Sequence, residues 1–222
     1  MTIRQPWAAV LAASPAAFGL LAVAVAAHGW APFGFEQAAV DWCVAHRPAA
    51  AETVAKIVTA LGTGVFPYLL ALTAGVALAA ARRHTSVWTA AAALLGPAVC
   101  LATGQLARLA LMHSFGRPRP PVSDWATSAS GFAFPSGHAF TSALAAGLLA
   151  FAATRAYRVP PRTTAALAAA FTAAVGLSRI YLGVHWPLDV LAGWLLATAW
   201  LTLTGALLGA RATPRSQRPT PV

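Results

Sequence analysis

Apolar residues in this chain come in long blocks rather than in alternation. A membrane crossing needs about 20 apolar residues to span ~30 Å of hydrocarbon. Six blocks approach that length: Trp7–Gly29, Thr63–Ala81, Val87–Leu111, Gly137–Thr154, Thr163–Leu182 and Leu188–Ala210. Each predicts a transmembrane helix. The segment Phe35–Leu61 differs, because it carries Glu36, Asp41, Arg47, Glu52 and Lys56, with Phe35, Ala38, Ala39 and Trp42 at helical spacing. That pattern predicts short helices lying on the membrane surface. The expected fold is all-α: a bundle of six transmembrane helices with short interfacial helices on the outer side. Residues 1–210 would form one membrane-embedded domain, and the Pro- and Arg-rich residues 211–222 a disordered basic tail.

Composition agrees with a membrane protein. The chain is 59% hydrophobic and 9% charged, against roughly 25% charged in average soluble proteins. Its formal net charge of +10 does not point to nucleic acid. The arginines fall in short clusters between apolar blocks, and no basic face alternates with stacking aromatics. Those clusters instead set an orientation. Arg4, Arg82, Arg83, Arg155, Arg158, Arg162, Arg211, Arg215 and Arg218 share one side; Arg47, Lys56, Arg108, Arg117, Arg119 and Arg179 share the other. Both termini are therefore expected in the cytoplasm, in a multi-pass protein of the plasma membrane. Trp7, Trp30, Trp42, Trp88, Trp125, Trp186 and Trp200 fall near block ends, where interface anchoring is the simplest reading. Cys43 and Cys100 have neither metal nor disulfide spacing and read as small buried residues.

Three motifs converge on the outer side. The loop after the third block reads Gly116-Arg117-Pro118-Arg119-Pro120, and Phe134-Pro135-Ser136-Gly137-His138 opens the fourth block. The fifth ends in Ser178-Arg179, and His185-Trp186-Pro187-Leu188-Asp189 opens the sixth. Ser136 is placed as a helix N-cap, and the amides that follow it suit an anion. Gly137 would let a phosphate approach the backbone, with His138 facing it from the first turn. Pro187 suits a first helical position. Asp189, four residues after His185, would accept from one ring nitrogen and leave the other free to attack. Arg119 and Arg179, with Arg117 as a further candidate, supply forked donors for phosphate oxygens. The five acidic residues provide no carboxylate cluster for Mg²⁺ or Zn²⁺, so no metal or other cofactor is expected.

These residues resemble the type-2 phosphatidic acid phosphatase superfamily, which contains membrane lipid phosphate phosphatases and soluble vanadium haloperoxidases. Its motifs are Lys-x6-Arg-Pro, Pro-Ser-Gly-His and Ser-Arg-x5-His-x3-Asp. Pro135–His138 matches the second; Ser178, Arg179, His185 and Asp189 match the third with full spacing. The resemblance implies His185 as nucleophile, forming a phosphohistidine, with Asp189 as its orienting partner and His138 as acid to the leaving group. It implies Arg119, Ser136, Gly137 and Arg179 as the phosphate-binding residues. The first motif departs from the pattern. Counting back from Arg119-Pro120, the lysine position holds Met112, and counting back from Arg117-Pro118 it holds Ala110. Arg108, one helical turn before Met112, and His113 are the nearby candidates to replace that cation. A structural arginine snorkelling toward the interface is the alternative for Arg108.

The function expected is metal-independent hydrolysis of a lipid phosphate or prenyl diphosphate at the outer membrane face. The partners expected are that substrate and membrane lipids, with no nucleic acid. A polyprenyl diphosphate suits an alanine-rich, arginine-dominated chain of bacterial type, and phosphatidylglycerol phosphate and phosphatidate stay open. Alternatives are a lipid phosphotransferase and a non-enzymatic lipid-binding or transport protein with a degraded site. The orientation is testable by cysteine labelling in sealed cells. A membrane-impermeant reagent should reach position 124 and fail to reach the loop 155–162; labelling of the Arg82–Arg83 loop from outside would reverse the model.

Overall fold

The computed structural model describes residues 6–82 and 86–212. Arg4, Arg83, His84, Arg215, Arg218 and most of the expected tail lie outside the described residues. Eight α-helices follow in order: α1 Pro6–Ala27, α2 Gly34–Ala45, α3 Ala49–Ala60, α4 Val65–Ala80, α5 Val87–Phe115, α6 Gly137–Tyr157, α7 Pro161–Tyr181 and α8 Pro187–Ala212. A single 3₁₀ turn, Val122–Asp124, interrupts the long α5–α6 loop. No strand occurs among the described residues.

The helices are longer than the apolar blocks wherever the stop signal lies beyond the last apolar residue. The third block was expected to end at Leu111, but α5 runs on through His113 and Ser114. It stops at Gly116, whose φ of 65° turns the chain out of the helix while its N–H still donates to the Met112 carbonyl. α8 continues to Ala212, past the expected start of the tail. The segment Phe35–Leu61 does form two short helices, α2 and α3. Arg47, between them, donates to the carbonyls of Asp124 and Tyr181 and so fastens this pair to the rest of the bundle.

Four helices, α5 to α8, are long and apolar enough to cross a membrane. α3 and α4 qualify as a fifth crossing if taken together, with a 47° bend between them. Large apolar side chains point outward along them, among them Val76, Val99, Leu106, Phe151, Leu177 and Leu207. Such a surface suits lipid rather than water. α6 is the central helix. It packs on α4, α5, α7 and α8, and 44% of its most apolar window is buried, against 28% for each of the other three. Phe140 and Leu144 of α6 meet Leu101 of α5 and Leu196 and Ala197 of α8 in the main core.

α6 and α8 touch backbone to backbone near their starts. A Cβ on Gly193 would stand 2.7 Å from the Ser136 carbonyl oxygen, so glycine is needed for that approach. The Ser136 N–H donates to the Asp189 carbonyl at the same crossing. The starts of these two helices, which carry the second and third motifs, are thus held side by side.

Of the tryptophans expected at a membrane interface, Trp186 is inside the protein and Trp200 is half-buried against a neighbouring helix. Trp186 is buried and donates its Nε1–H to the Pro118 carbonyl. Trp200 donates to the Cys100 carbonyl across the α5–α8 contact. Their indole N–H groups need acceptors when they leave water, and loop or helix carbonyls supply them.

Candidate active site

One cavity of about 540 Å³ opens where α5, α6, α7 and the α7–α8 turn meet the α5–α6 loop. Its wall includes Arg108, His113, Arg119, Gly137, His138, Arg179 and His185. The charged side chains on that wall are all arginines, and no described carboxylate lines it.

His185 sits in the turn before α8 and is almost fully buried. Arg119 Nη1 lies 2.8 Å from its Nε2. A guanidinium can only donate, so Nε2 is the accepting nitrogen and a neutral ring carries its proton on Nδ1. Nδ1 lies 3.5 Å from Asp189 Oδ2, too far for the expected hydrogen bond, and has no hydrogen-bond partner among the described residues. Burial, helped by the Arg119 and Arg179 charges, holds the His185 pKa well below the usual histidine range. The ring is therefore neutral at neutral pH, with its Nε2 lone pair engaged by Arg119, itself a residue of the cavity wall.

Asp189 is aimed by helix geometry. It is the third residue of α8, and its Oδ2 accepts from the Trp186 N–H just before the helix at 2.8 Å. The rest of its contacts come from residues remote in sequence. Arg117 donates Nη1 to Asp189 Oδ1 at 2.6 Å and Nη2 to Glu36 Oε2 at 2.7 Å. The three side chains are 0% exposed. Arg117 also donates to the carbonyls of Trp30 and Ala31. Arg117 is thus not on the cavity wall as a phosphate donor; two carboxylates and two carbonyls take it inward. Glu36, expected on a surface helix, accepts from the Phe33 and Leu188 N–H groups and is buried. Removing one partner of such a buried pair typically costs about 3–5 kcal/mol. A signal for Glu36 existed in the sequence: a carboxylate among Phe33, Phe35 and Ala38, in a chain with few acids, is costly unless paired.

The three cavity arginines are held differently. Arg119 uses its Nε and both Nη atoms on the carbonyls of Gly131, Val184, Ser130 and Phe132 as well as on His185. It shapes the loop that roofs the cavity. Burial brings its pKa down to about 10, so it stays cationic at neutral pH. Arg179 donates Nη1 to Thr59 Oγ1, and its buried Nε has no partner among the described residues. Arg108 reaches up one turn of α5, as the sequence allowed. It donates to Gln105 Oε1 and to the weakly accepting Met112 sulfur, both at 3.2 Å. A Cβ on Gly137 would stand 3.3 Å from Arg108 Cζ, so this glycine makes room for the guanidinium as well as for any anion.

His138 lines the cavity from the first turn of α6. His113 lies at the exposed rim, edge-on to Phe132. Ser136 occupies the N-cap position, but its side chain makes no cap bond, and its buried Oγ has no partner among the described residues. The Ser136 carbonyl accepts the Phe140 N–H as the first bond of the helix, which leaves the amides ahead of it without a side-chain cap. No three His, Cys, Asp or Glu side chains gather into a metal-holding group among the described residues.

The sequence profile of the PAP2 superfamily matches residues 93–212. The chain belongs to the PAP2 superfamily. Its 93–212 region contains all three motifs, including the departure at Met112. This PAP2 protein is 38% identical over 71 residues to an undecaprenyl-diphosphatase of Sulfolobus acidocaldarius, a match spanning 32% of this chain and 31% of that relative. The chain thus aligns with about a third of that relative's length. The fold matches the crystal structure of a transmembrane PAP2-type phosphatidylglycerolphosphate phosphatase from Bacillus subtilis, with a TM-score of 0.75 and 24% identity. The match covers 94% of this chain and 98% of that one. The all-helical transmembrane architecture is therefore that of a membrane PAP2 protein.

Substitutions at the His185 pair should separate the roles within this geometry. His185→Ala should abolish turnover and leave no acid-labile phosphoprotein after rapid quench with ³²P-labelled substrate. Asp189→Asn should slow turnover severely, by the logic that costs a serine protease about 10⁴ when its aspartate becomes asparagine. His138→Ala should slow ester breakdown about 10²- to 10⁴-fold. Near-normal turnover in His185→Ala would overturn the assignment.

Proposed function

We propose that the protein hydrolyses a lipid phosphate or lipid diphosphate through a phosphohistidine at His185, without a metal ion. The observation that carries this reading is the convergence of Arg108, Arg119 and Arg179 with His138 and His185 on one cavity. Three guanidinium groups suit the phosphoryl oxygens, where charge stabilisation is the chief requirement of the transition state. Nε2 of His185 attacks phosphorus as Arg119 turns its donor from that nitrogen to a phosphoryl oxygen. The bond from phosphorus to the leaving oxygen breaks, and His138 gives that oxygen its proton. His138 then takes a proton from water, whose oxygen attacks the phosphohistidine and frees His185. Asp189 stabilises the positive charge carried by the imidazole in between.

The six-span reading takes α1 and α4 as the remaining crossings, although α4, at about 24 Å, is short for ~30 Å of hydrocarbon. α5 is about 43 Å long. Its last turns, with Arg108, can therefore stand at headgroup level, where a lipid enters sideways and presents its phosphate. On this reading both termini face the cytoplasm and the cavity opens on the outer face of the plasma membrane, as the distribution of arginines supports. A prenyl diphosphate is the first candidate substrate: the partial match to an undecaprenyl-diphosphatase supports it. The fold likeness keeps phosphatidylglycerol phosphate on the panel.

Purified protein should release inorganic phosphate from at least one of these lipids, one phosphate per ester cleaved. EDTA should leave the rate unchanged, and orthovanadate should inhibit, because it can adopt the five-coordinate shape of phosphoryl transfer. Complete loss on chelation, restored by Mg²⁺, would overturn the metal-independent mechanism. Phosphate appearing on a second lipid rather than in solution would make the protein a transferase.

Arg108 supplies the cation that the motif lacks at Met112. Arg108→Ala should raise KM roughly ten- to a hundredfold, the worth of one charge-assisted contact. Met112→Lys in the intact protein should reduce activity by placing a second cation against Arg108. The combination of Arg108→Ala with Met112→Lys should recover part of the loss. Unchanged kinetics in Arg108→Ala would leave a clamp of Arg119 and Arg179 alone.

A further inference from the structure

We infer that Arg117 and Glu36 are positioning residues of the catalytic pair: Glu36 anchors Arg117, and Arg117 fixes Asp189 so that its second oxygen faces His185. The inference rests on the phosphatase reading above and concerns how the nucleophile is held.

Asp189 has two oxygens with separate duties. Oδ2 takes the Trp186 N–H and faces His185 Nδ1. Among the described residues Oδ1 is bound by Arg117 alone, at 2.6 Å. The carboxylate cannot rotate about its Cβ–Cγ bond without giving up that contact. Arg117 in turn has little freedom. Glu36 takes both of its Nη atoms, at 2.7 and 3.4 Å, and the Trp30 and Ala31 carbonyls take Nε and Nη2. Glu36 is pinned from two sides, by the Phe33 N–H at the start of α2 and the Leu188 N–H at the start of α8. The chain of contacts runs from the α1–α2 segment to the nucleophile without crossing the cavity.

Charge gives the arrangement a second purpose. Two buried carboxylates offset by one guanidinium leave a net negative charge behind His185, on the side away from the phosphate. That charge favours the cationic imidazole formed when Nε2 bonds to phosphorus. A simple structural salt bridge would need one carboxylate. The second, from Glu36, lets Arg117 hold Asp189 without neutralising the site.

The test is a double-mutant cycle with purified full-length protein and the substrate on which the wild type shows turnover, read as kcat and KM separately. Arg117→Gln should lower kcat about ten- to a hundredfold, the range typical of groups that orient a functional histidine. Its KM should stay within about threefold of wild type, whereas Arg119→Gln should raise KM. In the Asp189→Asn background, Arg117→Gln should cost little more, because a residue acting through Asp189 has nothing left to act on. Glu36→Gln should give a smaller loss of the same kind. Arg117→Lys, which keeps the charge but loses the fork, should fall between Arg117→Gln and wild type. If Arg117→Gln does not yield folded protein, Arg117→Lys and Glu36→Gln carry the same cycle. A rise in KM with kcat preserved would make Arg117 a phosphate ligand and overturn the inference. So would a loss that multiplies onto that of Asp189→Asn, or wild-type kcat per folded molecule with only a lowered melting temperature. An inactive wild type would instead count against the phosphatase reading itself.

Discussion

A guanidinium enclosed by two carboxylates, with none of the three exposed to solvent, sets the terms for the rest of the structure. Ions so far from water persist only when their donors and acceptors are matched. Here the match requires elements remote in sequence: the α1–α2 turn, the loop after α5 and the first turn of α8. Their meeting point fixes where α8 begins and which way Asp189 faces. Through the backbone contact at Gly193 it also fixes the start of α6. The apolar cores below are built of interchangeable aliphatic contacts, whereas this polar junction tolerates one arrangement.

Much of the fold was legible because membrane helices announce themselves by length and composition. The blocks from Val87 to Ala210 reappear as α5 to α8, and Phe35–Leu61 as the two short helices α2 and α3. Of the six expected spans, α5 to α8 have the length and apolarity of a crossing by themselves, and helix ends differ where a helix outruns its apolar residues until a backbone signal such as Gly116 stops it. The convergence of the second and third motifs was also legible, because threading successive helices brings alternate loops to one face. The structure places His138, Arg119, Arg179 and His185 around one cavity accordingly.

What the sequence hid were pairings over long separations. Arg117 and Arg119 look alike in Arg-Pro-Arg-Pro, yet one turns inward to carboxylates and the other toward the histidine. Nothing local distinguishes them, because the choice depends on Glu36, 81 positions earlier. Trp186 likewise read as an interface residue until the Pro118 carbonyl appeared beside its indole. Arg108 was legible as a candidate by helical spacing alone, but its seat against Gly137 required the packing of α5 on α6.

The manner in which Arg119 is held bears on how a product anion would leave. Its N–H groups already have acceptors: four loop carbonyls and a ring nitrogen. An oxyanion engaging Arg119 exchanges one acceptor for another, so it gains the difference between two hydrogen bonds rather than the whole of one. On the phosphatase reading, the His185 ring nitrogen reclaims that donor once the phosphohistidine is hydrolysed, while the four carbonyls keep the guanidinium in place. Inorganic phosphate would then face a competitor built into the loop, and product inhibition would be weaker than three arginines around one cavity suggest.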